Sequence, residues 1–564
     1  MKFQDYPYQR PDFIAMKTQF MTFLADFQQA SSATVQFSLI EQINQLRNHI
    51  ETMATLAQIR HSIDTRDSFY EQENRYWDEH GPLYSELDSQ FYASVLQSSY
   101  KGELEALIPT QWFAIARLKL QSFDPIIIPL LQEENRLSSN YTKLIASAEI
   151  EFDGQIYNLS GLTPLLQADN RDVRKRAAAA KFHFFAVHEA EIDQIFDQLV
   201  HIRHEIATTL GFTNFVELGY VRMLRTDYDA EMVALFRHEI HTHLVPEAQK
   251  LVQKQKKRLG LTDFAYYDMS YDFTTGNPTP DGTPESILAA GLQMYQEMSP
   301  ETAEFFHFMQ NHELLDILTK PGKSGGGYCT YLADFQSPFI FANFNGTAHD
   351  IDVLTHEAGH AFQVYQSRHI TYPELAFPTY ESCEIHSMSM EFFAWPWMPL
   401  FFGKQTPKYY YTHLASAMTF IPYGVSVDEF QHFVYEHPQA TPHERKQKWR
   451  ELERKYLPDR NYEASPFLES GTWWFQQAHI FNSPFYYIDY TLAQVCALQF
   501  WQKMQTTREQ AWQDYVHLCG LGGTKAFTSL VAEAQLASPF SPNVLEPTFQ
   551  AVMNYLEAID DQSL

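Results

Sequence analysis

Over long stretches of the chain, apolar residues recur at three- and four-residue spacing with charged and amide side chains between them. The pattern predicts amphipathic helices over 14–29, 37–60 and 170–210, and a mainly α fold throughout. Three breaks interrupt it. From Glu149 to Leu159 polar and apolar residues alternate around Asp153-Gly154, the signature of a β-hairpin with a type I′ turn. Residues 272–284 are rich in Thr, Gly, Pro and Asp, and 320–327 contain Gly322, Gly325, Gly326 and Gly327, so both stretches read as loops. After the second loop, Tyr328 to Leu332 and Phe339 to Phe344 read as short strands joined around Ser337-Pro338. A small β-sheet is therefore expected inside a helical protein, and its unpaired edge offers an extended peptide a place to add as a strand. Helices resume after the hairpin, which places a lobe boundary near residue 185: an N-terminal helical lobe over 1–185 and a second domain over 186–564.

Composition narrows the field. At 564 residues, 45% hydrophobic and 20% charged, the chain is long enough for several packed lobes and has none of the bias of a disordered one. Its 41 Lys and Arg against 69 Asp and Glu give a net charge of −28, which repels phosphate backbones and anionic lipid. Neither nucleic acid nor a membrane is an expected partner. Four scattered cysteines lack metal-knuckle or redox spacing and read as reduced thiols. The first dozen residues carry acids and prolines where a signal peptide needs an apolar core. No apolar run approaches the roughly 20 residues of a membrane span. A cytoplasmic protein is expected.

The chemistry concentrates in His356-Glu357-Ala358-Gly359-His360. Asn345-Gly346-Thr347 supplies a turn and a cap, and helical spacing follows from Asp350 to Gln366. Residues four apart on a helix are offset by only about 40°, so His356 and His360 share a face and can share one zinc ion. Glu357 lies beside them as the base that takes a proton from water. The chain has 23 histidines and several His-Glu pairs, at His188, His204, His238, His312, His356 and His443, but only His356 is followed by a histidine four residues on. The His238 to His243 group reads as a solvated helix face, as does the basic run from Lys254 to Arg258. A catalytic zinc needs a third protein ligand. Gln363 and Gln366 occupy the positions where the metzincin pattern needs Gly and His. A later glutamate remains, with Glu374, Glu381, Glu384 and Glu391 as candidates. Glu381, Glu384 and Glu391 share one helical face, so one can bind metal while another orients a ligand histidine.

These segments together resemble the oligoendopeptidases of the thimet-oligopeptidase and oligoendopeptidase F superfamily, most of all the bacterial Pz-peptidase-like members. The resemblance is carried by Gly325 to Cys329, the strand Phe339 to Asn345, the His356 to His360 motif and Glu384-Ile385-His386-Ser387-Met388-Ser389-Met390-Glu391, with the segment His479 to Tyr490 and the Gly520 to Gly523 loop near the end. It implies that Glu384, about 24 residues after His360, is the third zinc ligand. It implies that His479 with Tyr487 or Tyr490 donates hydrogen bonds to the oxyanion, and that Gly326, Gly327, Tyr328 and Tyr486 contact substrate. The implied fold has two helical halves enclosing a deep channel that admits short unstructured peptides, with one Zn2+ per chain. The implied activity is that of a zinc endopeptidase. A metallocarboxypeptidase on a similar helical scaffold is the alternative, since it uses the same motif and a later glutamate.

Overall fold

The computed structural model describes residues 1–463 and 465–564. Helices carry most of the chain, and six of them build the site: α1 (Ala33–Ile63), α2 (Ser68–Leu96), α3 (His349–Gln366), α4 (Tyr380–Phe393), α5 (Thr406–Glu436) and α6 (Tyr487–Leu521). The expected helix over 170–210 is two helices, Arg171–Val187 and Glu189–Thr209, broken at His188, whose backbone (φ −97°, ψ 9°) leaves the helix. Residue 185 lies in the last turn of the first.

The hairpin near Asp153-Gly154 forms as read. Strands β1 (Ile150–Phe152) and β2 (Gln155–Tyr157) pair antiparallel, and both turn residues have positive φ, 49° and 81°, as a type I′ turn requires. The second sheet has three strands, β3 (Leu315–Leu318), β4 (Tyr328–Leu332) and β5 (Ser337–Phe344), in the order β3-β5-β4. β4 runs antiparallel to β5, and β3 runs parallel to it. The turn between β4 and β5 is at 333–336, with Gln336 at φ 47°, so Ser337 and Pro338 belong to β5 and pair with Leu332 and Tyr331. β3 was not anticipated, because four residues are too few to show a period.

Apolar side chains gather into two main cores. The larger one runs from Phe3 to Leu556, and a separate N-terminal one draws on Phe20 to Ala116 together with Leu375. α1 serves both: Leu39, Ile40, Ile43, Leu46 and Ile50 face the N-terminal core, and Met53, Leu56 and Ile59 face the larger one. Between the two lies a cavity of about 660 Å³, walled by α1, α2 and the helix Thr110–Gln121 on one side and by β4, α3, α4 and residues 479–490 on the other. The basic run at 254–258 is not all surface. Arg258 is buried and its guanidinium donates to Asp561 at 2.6 Å, which ties down the C-terminal end. Among the described residues, no helix is long and apolar enough to cross a membrane.

Candidate metal centre

β5 delivers the chain to α3 through 345–348. The helix is closed by Asp350, which reaches back from its first turn: Oδ1 accepts the Asn345 N–H at 2.9 Å and Oδ2 the Gly346 N–H at 2.8 Å. The Asn345 side chain instead accepts from Thr347 within the turn.

Gly359 decides how closely α3 meets α4. A Cβ there would sit 2.7 Å from the His386 carbonyl oxygen and 2.7 Å from Ser387 Cα. Without one, the helices touch backbone to backbone, and Glu384 reaches the histidine pair. Its Oε2 lies 3.2 Å from His356 Nε2 and 3.4 Å from His360 Nε2. One ligand atom from each of the three residues falls within 4.8 Å of the others, and among the described residues this is the only such metal-competent group. The His238 to His243 stretch forms none. Two imidazoles and one carboxylate are the donor set of a catalytic zinc that keeps a further position open.

The four candidate glutamates separate by their partners. Glu374 accepts from Arg47 at 2.5 Å, Tyr92 at 2.6 Å and Trp112 at 2.9 Å. Burial alone would raise its carboxyl, but Arg47 more than offsets this and holds it below the usual range. It pins the N-terminal core. Glu381 accepts from the Thr379 hydroxyl at 2.7 Å, and burial with the nearby Asp489 carboxylate pushes it up to about 8. Glu391 orients His356. Its Oε1 accepts from His356 Nδ1 at 2.8 Å and its Oε2 from His413 Nε2 at 2.7 Å, while His413 Nδ1 accepts from the Trp395 indole at 2.9 Å. The indole can only donate, so His413 carries its hydrogen on Nε2 and gives it to Glu391. Glu391 in turn holds the His356 Nδ1 hydrogen and sets Nε2 as the nitrogen that faces Glu384 and His360.

Glu357 is 5% exposed, and its Oε2 has no hydrogen-bond partner among the described residues. Burial pushes its carboxyl up, toward the range of a useful base. It faces the start of β4, where a Cβ on Gly327 would lie 3.1 Å from Glu357 Oε1. Gly327 therefore makes room for the carboxylate.

Across the histidines stands the segment before and within α6. Tyr486 donates its hydroxyl to Glu384. His479 Nε2 lies 3.0 Å from the Tyr490 hydroxyl, His479 Nδ1 lies 2.9 Å from Gln477 Nε2, and Gln477 Oε1 accepts from Tyr423 at 3.0 Å. In the amide orientation of this structure, Gln477 Nε2 donates to Nδ1, and the imidazole hydrogen on Nε2 goes to the Tyr490 oxygen. The Tyr490 hydrogen is then not used in the bond to His479. Burial lowers His479 to about 4, so the ring is neutral near pH 7. Tyr487 is placed differently: its ring packs against Phe420 and Tyr423 and is not among those lining the cavity. The turn into α6 is held at Phe485, with φ 68°, by Arg225 donating to its carbonyl at 2.6 Å and Gln431 accepting from its N–H at 2.8 Å. Of the expected substrate contacts, Gly327, Tyr328 and Tyr486 line the cavity, whereas Gly326, at φ 85°, turns away and its carbonyl accepts from Asn343 at 2.8 Å. β4 is an edge strand, and its residues Tyr328 and Cys329, with Gly327 before them, open on the cavity.

Sequence reasoning missed Trp395, His413, Tyr423 and Gln477. None carries a local signal, since each acts only through a partner distant in the chain.

Known proteins share this fold. The model of the peptidase M3 N-terminal domain matches residues 3–123, and that of peptidase family M3 matches residues 164–547. The crystal structure of Pz peptidase A with an inhibitor superposes with a TM-score of 0.99 at 51% identity, over 100% of both chains. A structure assigned to oligoendopeptidase F from Bacillus anthracis str. Ames gives 0.95 at 49% identity, over 100% of this chain and 99% of the other. An oligoendopeptidase F homolog of Lactococcus lactis subsp. lactis is 20% identical over 369 residues, 58% of this chain, and the match spans just over half of that protein, 57%. With the family model covering more than half of the chain and the histidine, glutamate and tyrosine cluster inside the matched stretch, the chain belongs to peptidase family M3.

Proposed function

We propose that the protein is a zinc-dependent endopeptidase that hydrolyses internal bonds of short, unstructured peptides. The observation that carries this reading is the convergence of His356, His360 and Glu384 beside Glu357, whose Oε2 has no partner among the described residues, next to the edge of β4 in the cavity between the cores. The donors fit one zinc ion per chain, and the orphaned buried oxygen of Glu357 fits a base waiting for water. The cavity lies between the two cores, so an extended chain fits where a folded domain does not. Four unpaired thiols, two of which line the cavity, suit a reducing, cytoplasmic setting.

Zinc bound there supplies a Lewis-acid charge that polarises the scissile carbonyl and acidifies a water molecule. The other work falls to the chain. The free edge of β4 pairs with the extended peptide and sets the bond over the histidines. Glu357 Oε2 accepts the proton of the attacking water and returns it to the leaving nitrogen. Tyr490, whose oxygen is held by His479, donates its hydroxyl hydrogen to the carbonyl oxygen as charge builds there. Tyr486 keeps Glu384 in place.

Mass spectrometry of the products from N-acetylated, C-amidated peptides of roughly 5 to 30 residues tests the reading. Internal cuts that vanish with a chelator and return with zinc support it. Trimming seen only once the C-terminus is free would replace it with a carboxypeptidase.

A further inference from the structure

Across the cavity from the histidine pair, α1 presents Arg47, Ile50, Glu51 and Ala54, the spacing of a single helical stripe. Arg47 is fully engaged: its guanidinium donates to Asp88 at 2.8 Å, Tyr92 at 2.7 Å and Glu374 at 2.5 Å. Glu51 is not. The groups acting on its carboxyl are Arg47, Asp88, Glu374 and Lys119, all through charge at a distance, and none of them within the described residues makes an ion pair or hydrogen bond to it. Protein surrounds Glu51, yet its side chain stays open to the cavity. Two cations against three carboxylates leave this wall negative, and Glu51 is its uncommitted charge.

The same cavity is lined by Tyr380, the first residue of α4, which is 45% exposed. Glu51 lies near enough for its charge to act on the Tyr380 phenol. The Tyr380 ring packs on that of Tyr486 with centroids 4.6 Å apart, and Tyr486 donates to Glu384. The two rings thus lie on the same cavity as Glu51 and Glu384. An exposed carboxylate that lines a cavity without an ion-pair partner is free to take a cation, and the exposed Tyr380 ring on the same cavity favours the same charge.

We infer that Glu51 and Tyr380 form a subsite for a cationic nitrogen of the bound peptide, either a Lys or Arg side chain or the α-ammonium of its N-terminus. The inference rests on the peptidase reading above and specifies what the cleft prefers.

The test is a series of end-blocked peptides in which lysine or its neutral isostere acetyl-lysine is stepped through each position, with a second arm comparing free and acetylated N-termini. At one position lysine should raise kcat/KM about ten-fold or more over acetyl-lysine, the scale of one charge-assisted hydrogen bond. Glu51→Gln should bring that ratio to about one, and Glu51→Lys should invert it in favour of glutamate. A gain confined to the free N-terminus, and lost in Glu51→Gln, assigns the α-ammonium as the occupant. Acetyl-lysine peptides cut as well as lysine peptides at every position and at both kinds of N-terminus, or a preference untouched by Glu51→Gln, would overturn the subsite and leave the peptidase reading standing. A wild-type protein that cuts none of the peptides would overturn both.

Discussion

His356 Nδ1 donates to Glu391 Oε1 at 2.8 Å, and this bond fixes which nitrogen of the imidazole faces Glu384. The same carboxylate is held from behind by His413 at 2.7 Å. Glu391→Gln should therefore weaken metal binding by about ten- to a hundred-fold, and His413→Phe by somewhat less, while both variants remain folded. Competition against a chromophoric chelator measures this directly. Unchanged affinity in Glu391→Gln would mean that the bond does not hold the ring.

Gly359 sits where α3 and α4 meet, with the His386 carbonyl oxygen 2.7 Å from the place a Cβ would take. That neighbour is backbone and cannot swing aside. Gly359→Ala should cost about 1–3 kcal/mol, as overpacking does, despite alanine's better helix propensity. Because the contact also sets the reach of Glu384, the thermal midpoint and zinc affinity should fall together.

Tyr490 and Tyr487 lie three residues apart but do different things. Tyr490 lines the cavity with its hydroxyl on His479, whereas Tyr487 packs among Phe420, Tyr423 and His479. Tyr490→Phe should lower kcat by about a hundred-fold with KM little changed, the scale of one lost oxyanion donor. Tyr487→Phe should leave kcat within a few-fold of wild type. Equal losses in the two variants would contradict the assignment of the donor to Tyr490.

Burial lowers both His479 and His386 to about 4. An unfolded histidine titrates near 6.5, so between about 6.5 and 4 the unfolded chain binds the extra protons. Stability should fall as pH drops through that window, and these two rings should add no slope above it. In urea titrations at several pH values, His479→Gln should be least stable relative to wild type near pH 7, and the gap should narrow toward pH 4.5. A gap that stays constant would mean that His479 is not held neutral by the fold.

How much of this was legible in the sequence follows from the range of each interaction. The hairpin at Asp153-Gly154 and the His356-Glu357-His360 face are local patterns of two to four residues and appear as read, whereas the helix read over 170–210 is broken at His188. Glu384 was one of four carboxylates with equivalent spacing, and only the resemblance separated it from Glu374, Glu381 and Glu391. In the fold, the choice is made by Gly359, which lets α4 approach, and by Arg47, which draws Glu374 into the N-terminal core. The register of the tyrosines was blurred because Tyr486 and Tyr487 are adjacent. The positive φ of Phe485, fixed by Arg225 some 260 residues earlier, turns one of them toward Glu384 and the other into the packing. Gly326 and Gly327 look alike in sequence, yet one supplies a turn and the other clears space for Glu357.

The central claim is that the Glu357 carboxylate beside the histidines moves the proton in peptide-bond hydrolysis, and Glu357→Gln tests it most directly. The measurement is turnover of an end-blocked peptide by wild type and variant, each with its zinc content determined on the same sample. The account predicts about one zinc per chain and an unchanged thermal midpoint in the variant, with kcat reduced by about a thousand-fold or more. A zinc-loaded Glu357→Gln protein that cleaves at the wild-type rate would contradict it.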